Sequence, residues 1–387
     1  MKRIVITLLS IVSYQLSAFA QGPLTPPGAP APTMKTLQQV QPRTPITNTA
    51  PVTISTPGSY YLTTNIISGD PVTAITIGAD NVTLDLNGFS LISTNPSSGA
   101  GNGVLIATGR ANVTIINGHI SGSVTQAAGV FGGSGFASGI FLSGVARNVR
   151  VSGVSVSGCL NSGIQLLDDA TTVVEDCSVQ TVGLTGIWAS TVKNCVVKEV
   201  GGYGIRAYQV SDSRAETLGS SYGIYANTVL NSFGRSYGPS SYGIYCDNAQ
   251  NSYGYNSVSG TGLFARNAQN CYGYGTTGST GLVVNTAQNC YGYNSGSGVG
   301  LSAELANNCR GESVSGIGLN CIITANGCYG ITGNAASPAL KVTGTANSCG
   351  GANTAGGTAI QAGVGIACGD YGGTNSIPAA NKFFGTL

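Results

Sequence analysis

Charge is scarce in this chain. Charged residues make up 8% of its 387 positions, 16 Lys+Arg against 14 Asp+Glu. Two of the basic residues, Lys2 and Arg3, lie in the first twenty, and without them the balance is 14 to 14, a formal net charge of zero. A neutral chain with no basic stripe has no electrostatic grip on a phosphate backbone or an anionic lipid surface, so nucleic acid and membrane surface drop out as partners. Histidine is almost missing as well. His119 stands alone, and no cysteines are paired at short spacing, which excludes a zinc-type centre. No metal ligands and no cofactor are expected. Beyond the first twenty residues no apolar run is long enough to cross a bilayer, and no segment has the period of a long amphipathic helix.

What is abundant is glycine, at 59 residues, together with Ser, Thr, Asn, Val and Ile, in a chain that is 42% hydrophobic. That mixture reads as turn-rich all-β structure with enough apolar residues for a continuous core, not as disorder. The first twenty residues stand apart. Lys2 and Arg3 precede a largely apolar stretch from Ile4 to Leu16, and Ala18-Phe19-Ala20 is a small-x-small site. Residues 1–20 are therefore expected to be a signal peptide cleaved before Gln21. No Cys follows the site, which argues against a lipid anchor. Residues 21–32 (QGPLTPPGAPAP) are expected to be an extended Pro-rich linker. Met34, Leu37 and Val40 then recur every three residues, so 33–45 are expected to be a short capping helix and lead-in. A cap suits a solenoid, whose open end exposes core and unpaired strand edges.

Internal periodicity carries the main argument. A small residue followed by an aliphatic one recurs at Gly163-Ile164, Gly186-Ile187, Gly204-Ile205, Gly223-Ile224, Gly243-Ile244, Gly262-Leu263, Gly281-Leu282, Gly300-Leu301, Gly318-Leu319, Ala339-Leu340 and Ala359-Ile360. After one step of 23 residues the intervals are 18, 19, 20, 19, 19, 19, 18, 21 and 20. A second register lies between these: Asp176-Cys177, Asn194-Cys195, Asp212-Ser213, Asn231-Ser232, Asn251-Ser252, Asn270-Cys271, Asn289-Cys290 and Asn308-Cys309, returning at Asn347-Ser348 after a displaced copy near Cys328. Stacking coils of this period puts like residues on like. Asn suits the second register because its side chain bonds along the axis and its backbone tolerates the left-handed conformation of a sharp turn.

The opening segments 81–92 (NVTLDLNGFSLI), 112–121 (NVTIINGHIS) and 148–157 (NVRVSGVSVS) share the same look. With these repeats the chain resembles the right-handed parallel β-helix, or pectate-lyase-like, superfamily over roughly residues 46–375, with 376–387 a tail. The resemblance implies an all-β solenoid with coils of about 18–24 residues, a fold that hosts polysaccharide lyases, hydrolases and adhesins alike. A leucine-rich repeat would show several fixed Leu positions, which are missing. A propeller would need about forty residues per blade.

Alternation along the strands assigns their faces. The residue after each Asn and the third after it (Val179, Val197, Ala215, Gly234, Gly254, Gly273, Gly292) are expected to point inward. The second and fourth are expected to face solvent, and there the columns hold Tyr253, Tyr255, Tyr272, Tyr274, Tyr291 and Tyr293. Tyr225 and Tyr245 lead a similar column after the Gly-Ile pairs. These eight tyrosines are the candidate carbohydrate-binding residues. Exposed aromatic ladders mark a binding surface, and cross-strand ring pairs also stabilise a sheet; both readings stand. The eleven cysteines fall largely in an inward column with parallel Cβ vectors, which opposes the dihedral of a disulfide. An unbridged thiol ladder is the expectation.

The catalytic candidates are acidic. Asp168, Asp169, Glu175 and Asp176 form the densest carboxylate cluster, with Arg214 on a following coil. Paired carboxylates hydrolyse glycosidic bonds. The resemblance also implies an alternative, Ca²⁺ beside an Arg base, were the protein a lyase. Yet the polygalacturonase-type set implied by the resemblance is incomplete: Asp168-Asp169 matches one piece, Asn117-Gly118-His119 does not match the His piece, and the lyase motifs are missing. The balance falls against an enzyme. Insertions at 93–103 and 121–138 must leave the coils as loops, where solenoids carry function, although these hold few aromatic or charged residues besides Phe131 and Phe136. Two function classes follow. One is a secreted or cell-surface protein that binds or processes polysaccharide or surface glycan; the periplasm is a further address. The other is a non-enzymatic structural or adhesive rod of about 65–75 Å at ~4.8 Å per coil. A monomer is expected.

Overall fold

The computed structural model describes residues 42–47, 49–69, 72–94, 101–167, 171–377 and 382–383. The expected signal peptide, the Pro-rich linker and the helix over 33–41 lie outside these residues. Thr44–Leu387 form one compact unit; every regular element among its described residues is a strand, and the chain winds through about 17 turns of a parallel solenoid.

Each complete turn contributes to three parallel sheets, as three strands or, where two segments run together as in Arg147–Cys159 and Thr261–Gln269, as two. The coil around residue 190 shows the plan: Ile187–Ala189 in the first sheet, Thr191–Lys193 in the second and Val196–Val200 in the third. Each pairs with its counterpart one coil on, as in Ile187↔Ile205, Val192↔Val210 and Val197↔Ala215. All ladders but one are parallel. The exception is an antiparallel hairpin, Thr125–Ala127 with Val130–Gly132, which leaves the wall at the expected 121–138 insertion.

The alternation read from the sequence is the alternation observed. The first sheet points Ile164, Ile187, Ile205, Ile224, Ile244, Leu263, Leu282, Leu301, Leu319, Leu340 and Ile360 inward, all fully buried. In the second sheet the inward column changes along the axis, from Val192, Val210 and Val229 to Ala249, Ala268, Ala287 and Ala306. In the third it runs from Val179 and Val197 through Ala215 to Gly234, Gly254, Gly273 and Gly292. The core therefore thins toward the C-terminal coils. A Cβ added at Gly254 would sit 2.2 Å from the Gly262 carbonyl oxygen, so only glycine allows the third sheet to lie directly on the first. Burying this ladder of aliphatics supplies the main stabilisation, at about 25 cal/mol per Å² of apolar surface.

The corner between the second and third sheets uses the left-handed backbone in every described coil from Asn87 onward. Asp176, Asn194, Asp212, Asn231, Asn251, Asn270, Asn289 and Asn308 have φ between 48° and 53°. Their side chains form a ladder along the axis in which Asn194 donates to Asp176 at 2.7 Å, Asn231 to Asp212 at 3.1 Å, Asn251 to Asn231 at 3.1 Å and Asn270 to Asn251 at 3.1 Å. A carboxylate has no N–H to pass on, so each Asp starts a new run. The last coils depart from the expected register. Gly327, Ser348 and Ala367 take the left-handed corner (φ 58°, 51°, 48°), and Cys328, Cys349 and Cys368 take the buried position after it. Asn326 and Asn347 fall one residue earlier, at the ends of second-sheet strands. There Asn326 donates to Asn307 at 2.8 Å, a ladder of its own.

All eleven cysteines are free and buried. Burial pushes the Cys159 thiol up to about 12 and raises Cys246 as well. Thiols of this kind react slowly because little thiolate forms. The native protein should leave a thiol-reactive chromophore such as DTNB unreduced, and all eleven should titrate only after denaturation; rapid native reaction of even one would contradict the packing.

A second polar device sits at the corner after the third sheet. Asn294 is fully buried, donates to the carbonyls of Thr276 and Ser279 at 3.0 and 2.8 Å, and accepts from the N–H of Gly296 and Gly298 at 2.8 and 3.1 Å. Asn256 and Asn353 do the same in their coils. Replacing Asn294 with Ala strands four partly buried backbone groups and should cost about 2 kcal/mol, read as a lowered urea midpoint. An unchanged midpoint would mean that water takes over the role.

Candidate functional site

The outward side of the third sheet carries two columns, and registration decides what stands beside what. The first runs Arg214, Phe233, Tyr253, Tyr272, Tyr291, Arg310; the second runs Glu216, Arg235, Tyr255, Tyr274, Tyr293, Glu312. From Arg214 to Arg310 is five coil steps, about 24 Å at ~4.8 Å per step.

The rings stack on one another. Tyr253 and Tyr272 have centroids 4.6 Å apart at 20°, Tyr272 and Tyr291 5.0 Å at 9°, and Tyr255 and Tyr274 4.7 Å at 18°. The guanidinium of Arg214 covers the Phe233 ring at 4.6 Å, and that of Arg310 lies 5.3 Å from the Tyr291 ring. Ring faces along this strip are thus largely occupied by neighbouring rings or by arginine. Their rims are what remain. Each end is closed by an Arg–Glu pair: Arg214 with Glu216, its Nε at 2.9 Å, and Arg310 with Glu312 at 2.9 Å. Arg235 forms no ion pair among the described residues; its guanidinium lies between the rings of Tyr237 and Tyr255, at 4.2 and 4.6 Å.

Tyr225 and Tyr245 belong to a different face. On the first sheet Trp188, Arg206, Tyr225, Tyr245 and Phe264 make one outward column. Tyr245 stacks on Phe264 at 4.8 Å and Tyr225 on Tyr245 at 5.5 Å. The eight tyrosines named from the sequence therefore form two separate tracks.

Asp168 and Asp169 lie outside the described residues. Glu175 ends a second-sheet strand and pairs with Arg150 at 3.2 Å. Asp176 follows at the corner, where it accepts the first bond of the asparagine ladder. Arg214 stands two coils on, on the third sheet. The structure thus gives each of the three its own partner and does not gather them around one point. His119, exposed on the third sheet, shares a shallow hollow with Asp176 and Asn194. Among the described residues no group of three or more His, Cys, Asp or Glu could hold a metal ion.

One site was not read from the sequence. The hairpin turns at Ala128 and Gly129 (φ 50° and 84°), a two-residue loop whose twist suits paired strands. Phe131 anchors it: a Cβ on Gly201 would lie 3.0 Å from the Phe131 ring. Phe136, at the base of the insertion, is fully buried. Beneath the hairpin tip lies a cleft of about 450 Å³ formed by Gln126, Ala128 and Gly129 with Glu199, Glu216, Leu218 and Tyr237 from three successive coils. The third-sheet strands are bulged here. Gly158, Thr181 and Glu199 occupy one left-handed position (φ 66°, 54°, 51°), and the pairing slips between Val197 and Val200 against the next coil, which lacks the extra residue. Bulges re-aim side chains. Glu199 Oε2 accepts from Thr181 Oγ1 at 2.9 Å and Gln180 Nε2 at 3.3 Å.

These coils are the ones with a known likeness. A family model described as "Right handed beta helix region" matches residues 102–221, under a third of the chain. A β-strand returning to a parallel neighbour in the same sheet does so right-handedly. The chain is a right-handed parallel β-helix. Among solved structures it is similar to the crystal structure of the Dettilon tailspike protein (gp208), at 14% identity and a TM-score of 0.31, covering 83% of this chain and 61% of the tailspike's length. A search of curated proteins finds no match.

Burial and the adjacent Glu312 carboxylate, which accepts the phenol hydrogen at 2.9 Å, push Tyr291 up to about 12. A phenol raised above its ordinary value near 10 stabilises the fold fully below pH 10, and that contribution is lost as the pH rises through about 12. Wild type should be more stable than Tyr291→Phe at pH 9, and the urea midpoints of the two should converge by pH 12. A constant gap across that range would contradict the assignment.

Proposed function

We propose that this β-helix protein binds an extended polysaccharide or surface glycan along the tyrosine track of the third sheet, outside the cell. The observation that carries the reading is the double column Tyr253, Tyr272, Tyr291 and Tyr255, Tyr274, Tyr293. It is a surface strip of phenols repeated at the coil spacing, which is close to the rise per residue of an extended glycan chain. Since the ring faces are already largely covered, the contacts come from hydroxyls and ring edges, with the arginines and glutamates at either end adding charged hydrogen bonds. The basic and apolar pattern of residues 1–20 supports export. Tyr225 and Tyr245, on the first sheet, form a second strip of the same chemistry.

A structural or adhesive rod is the second reading, and the ring stacking itself favours it, because such pairs contribute about 0.5–1.5 kcal/mol each beyond their burial. Phenylalanine separates the two. Tyr272→Phe with Tyr274→Phe keeps every stack and removes two hydroxyls. Glycan binding should weaken about tenfold, from two hydrogen bonds of about 0.5–1.5 kcal/mol, while the urea midpoint stays in place. Unchanged affinity in the double variant would leave the rod. New reducing ends or unsaturated products in the same assays, with or without Ca²⁺, would extend binding to processing.

A further inference from the structure

The tyrosine track runs, at its N-terminal end, into the cleft beneath the hairpin. Glu216 heads the column that continues through Arg235 to Tyr255, Tyr274 and Tyr293. The hairpin tip lines one cleft together with Glu199, Glu216 and Tyr237. A chain lying along the phenols therefore reaches this partly open cleft.

The recess borders charge of both signs, since Arg235 lies over the Tyr237 ring at 4.2 Å and two carboxylates, Glu199 and Glu216, line the cleft. Glu216 is matched by Arg214, but among the described residues no cation pairs with Glu199. Its carboxylate is instead held in place by neutral donors, the Thr181 hydroxyl and the Gln180 amide. Leu218 and Ala128 supply apolar surface between the polar groups. At the tip, Gln126 in its favoured amide orientation turns its oxygen to the N–H groups of Ala128 and Gly129. That leaves its NH₂ as a donor. A fixed carboxylate beside a phenol, an amide and a small apolar wall suits one sugar ring: hydroxyl or ammonium donors bond to the carboxylate, and C–H surface rests on Leu218. A uronic acid would bring a second negative charge against Glu199.

We propose that this cleft is a terminal subsite that holds the end residue of a neutral or amino-sugar glycan and rejects uronic acids, with Glu199 as the acceptor that selects it. The inference rests on the glycan-binding reading and adds to it the class of sugar and the direction in which the chain lies.

The probes are hexasaccharides of glucose, glucosamine and galacturonic acid, titrated calorimetrically into the full chain, with saturation-transfer NMR reporting which residue sits closest to the protein. Glucose or glucosamine hexamer should bind with its terminal residue most saturated, and galacturonate should not. Glu199→Gln keeps the shape and both neutral donors, and should weaken glucosamine hexamer about tenfold, the scale of one charged hydrogen bond. A second variant with residues 125–132 replaced by two glycines should do the same; urea midpoints verify that both variants are folded. Preference for galacturonate would overturn the inference. So would unchanged affinity in both cleft variants, and if Tyr272→Phe with Tyr274→Phe still weakened binding, the track would stand without the cleft. Failure of every hexamer to bind wild type would remove both.

Discussion

Parallel stacking of one coil on the next, in register at about 4.8 Å, is the constraint from which the rest of this molecule follows. Each position in the coil meets its own kind above and below, so a residue type must be compatible with itself. Aliphatics satisfy this by packing, as in the buried Ile and Leu column of the first sheet. Asparagine satisfies it by carrying both a donor and an acceptor, so that Nδ2 of one coil reaches Oδ1 of the last. Aspartate cannot continue that run and appears where a run begins. Tyrosine satisfies it by stacking ring on ring. Like charges cannot, and charge is rare; where arginine occurs on the third sheet, its neighbours are glutamate or an aromatic face.

The second consequence is a division of labour along the axis. The early coils hold Val in the inward positions of the second and third sheets, carry the left-handed bulge at Gly158, Thr181 and Glu199, and support the hairpin. The later coils replace Val with Ala and Gly, and the third-sheet glycines lie directly against the first-sheet backbone at Gly243, Gly262, Gly281 and Gly300. Regular, bulge-free strands there hold the tyrosines in straight columns. The cleft forms where the two regimes meet, because the bulge ends between Glu199 and Glu216 and the hairpin reaches across that step.

Much of this was legible in the residues. The Gly-Ile beat predicts the first sheet strand by strand, and the Asn-Cys beat predicts the left-handed corner and the buried thiols. The C-terminal copies were read one residue out of place because Asn347-Ser348 imitates the pair; only the backbone shows that Ser348 takes the left-handed corner and Cys349 the inward position. The chemical state of the tyrosine faces was also hidden. Alternation says that Tyr272 points outward, but how far its ring tilts depends on the rings one coil away. Gln126, Glu199, Glu216 and Tyr237 were invisible as a group, since they are up to 111 residues apart and meet only because a hairpin folds back along the axis.

The repeat period, the inward and outward faces and the solenoid architecture were determined by the sequence by itself, because each is a matter of like residues recurring at one interval and needs no knowledge of distant contacts. Tertiary structure decided which surfaces were left open. Ring stacking largely closed the faces of the tyrosines, salt bridges and ladder bonds occupied Glu175, Asp176 and Arg214, and the hairpin lining the Glu199 cleft came from an insertion with no period at all. Those outcomes depend on side-chain direction and on packing between coils, and neither is encoded in spacing along the chain.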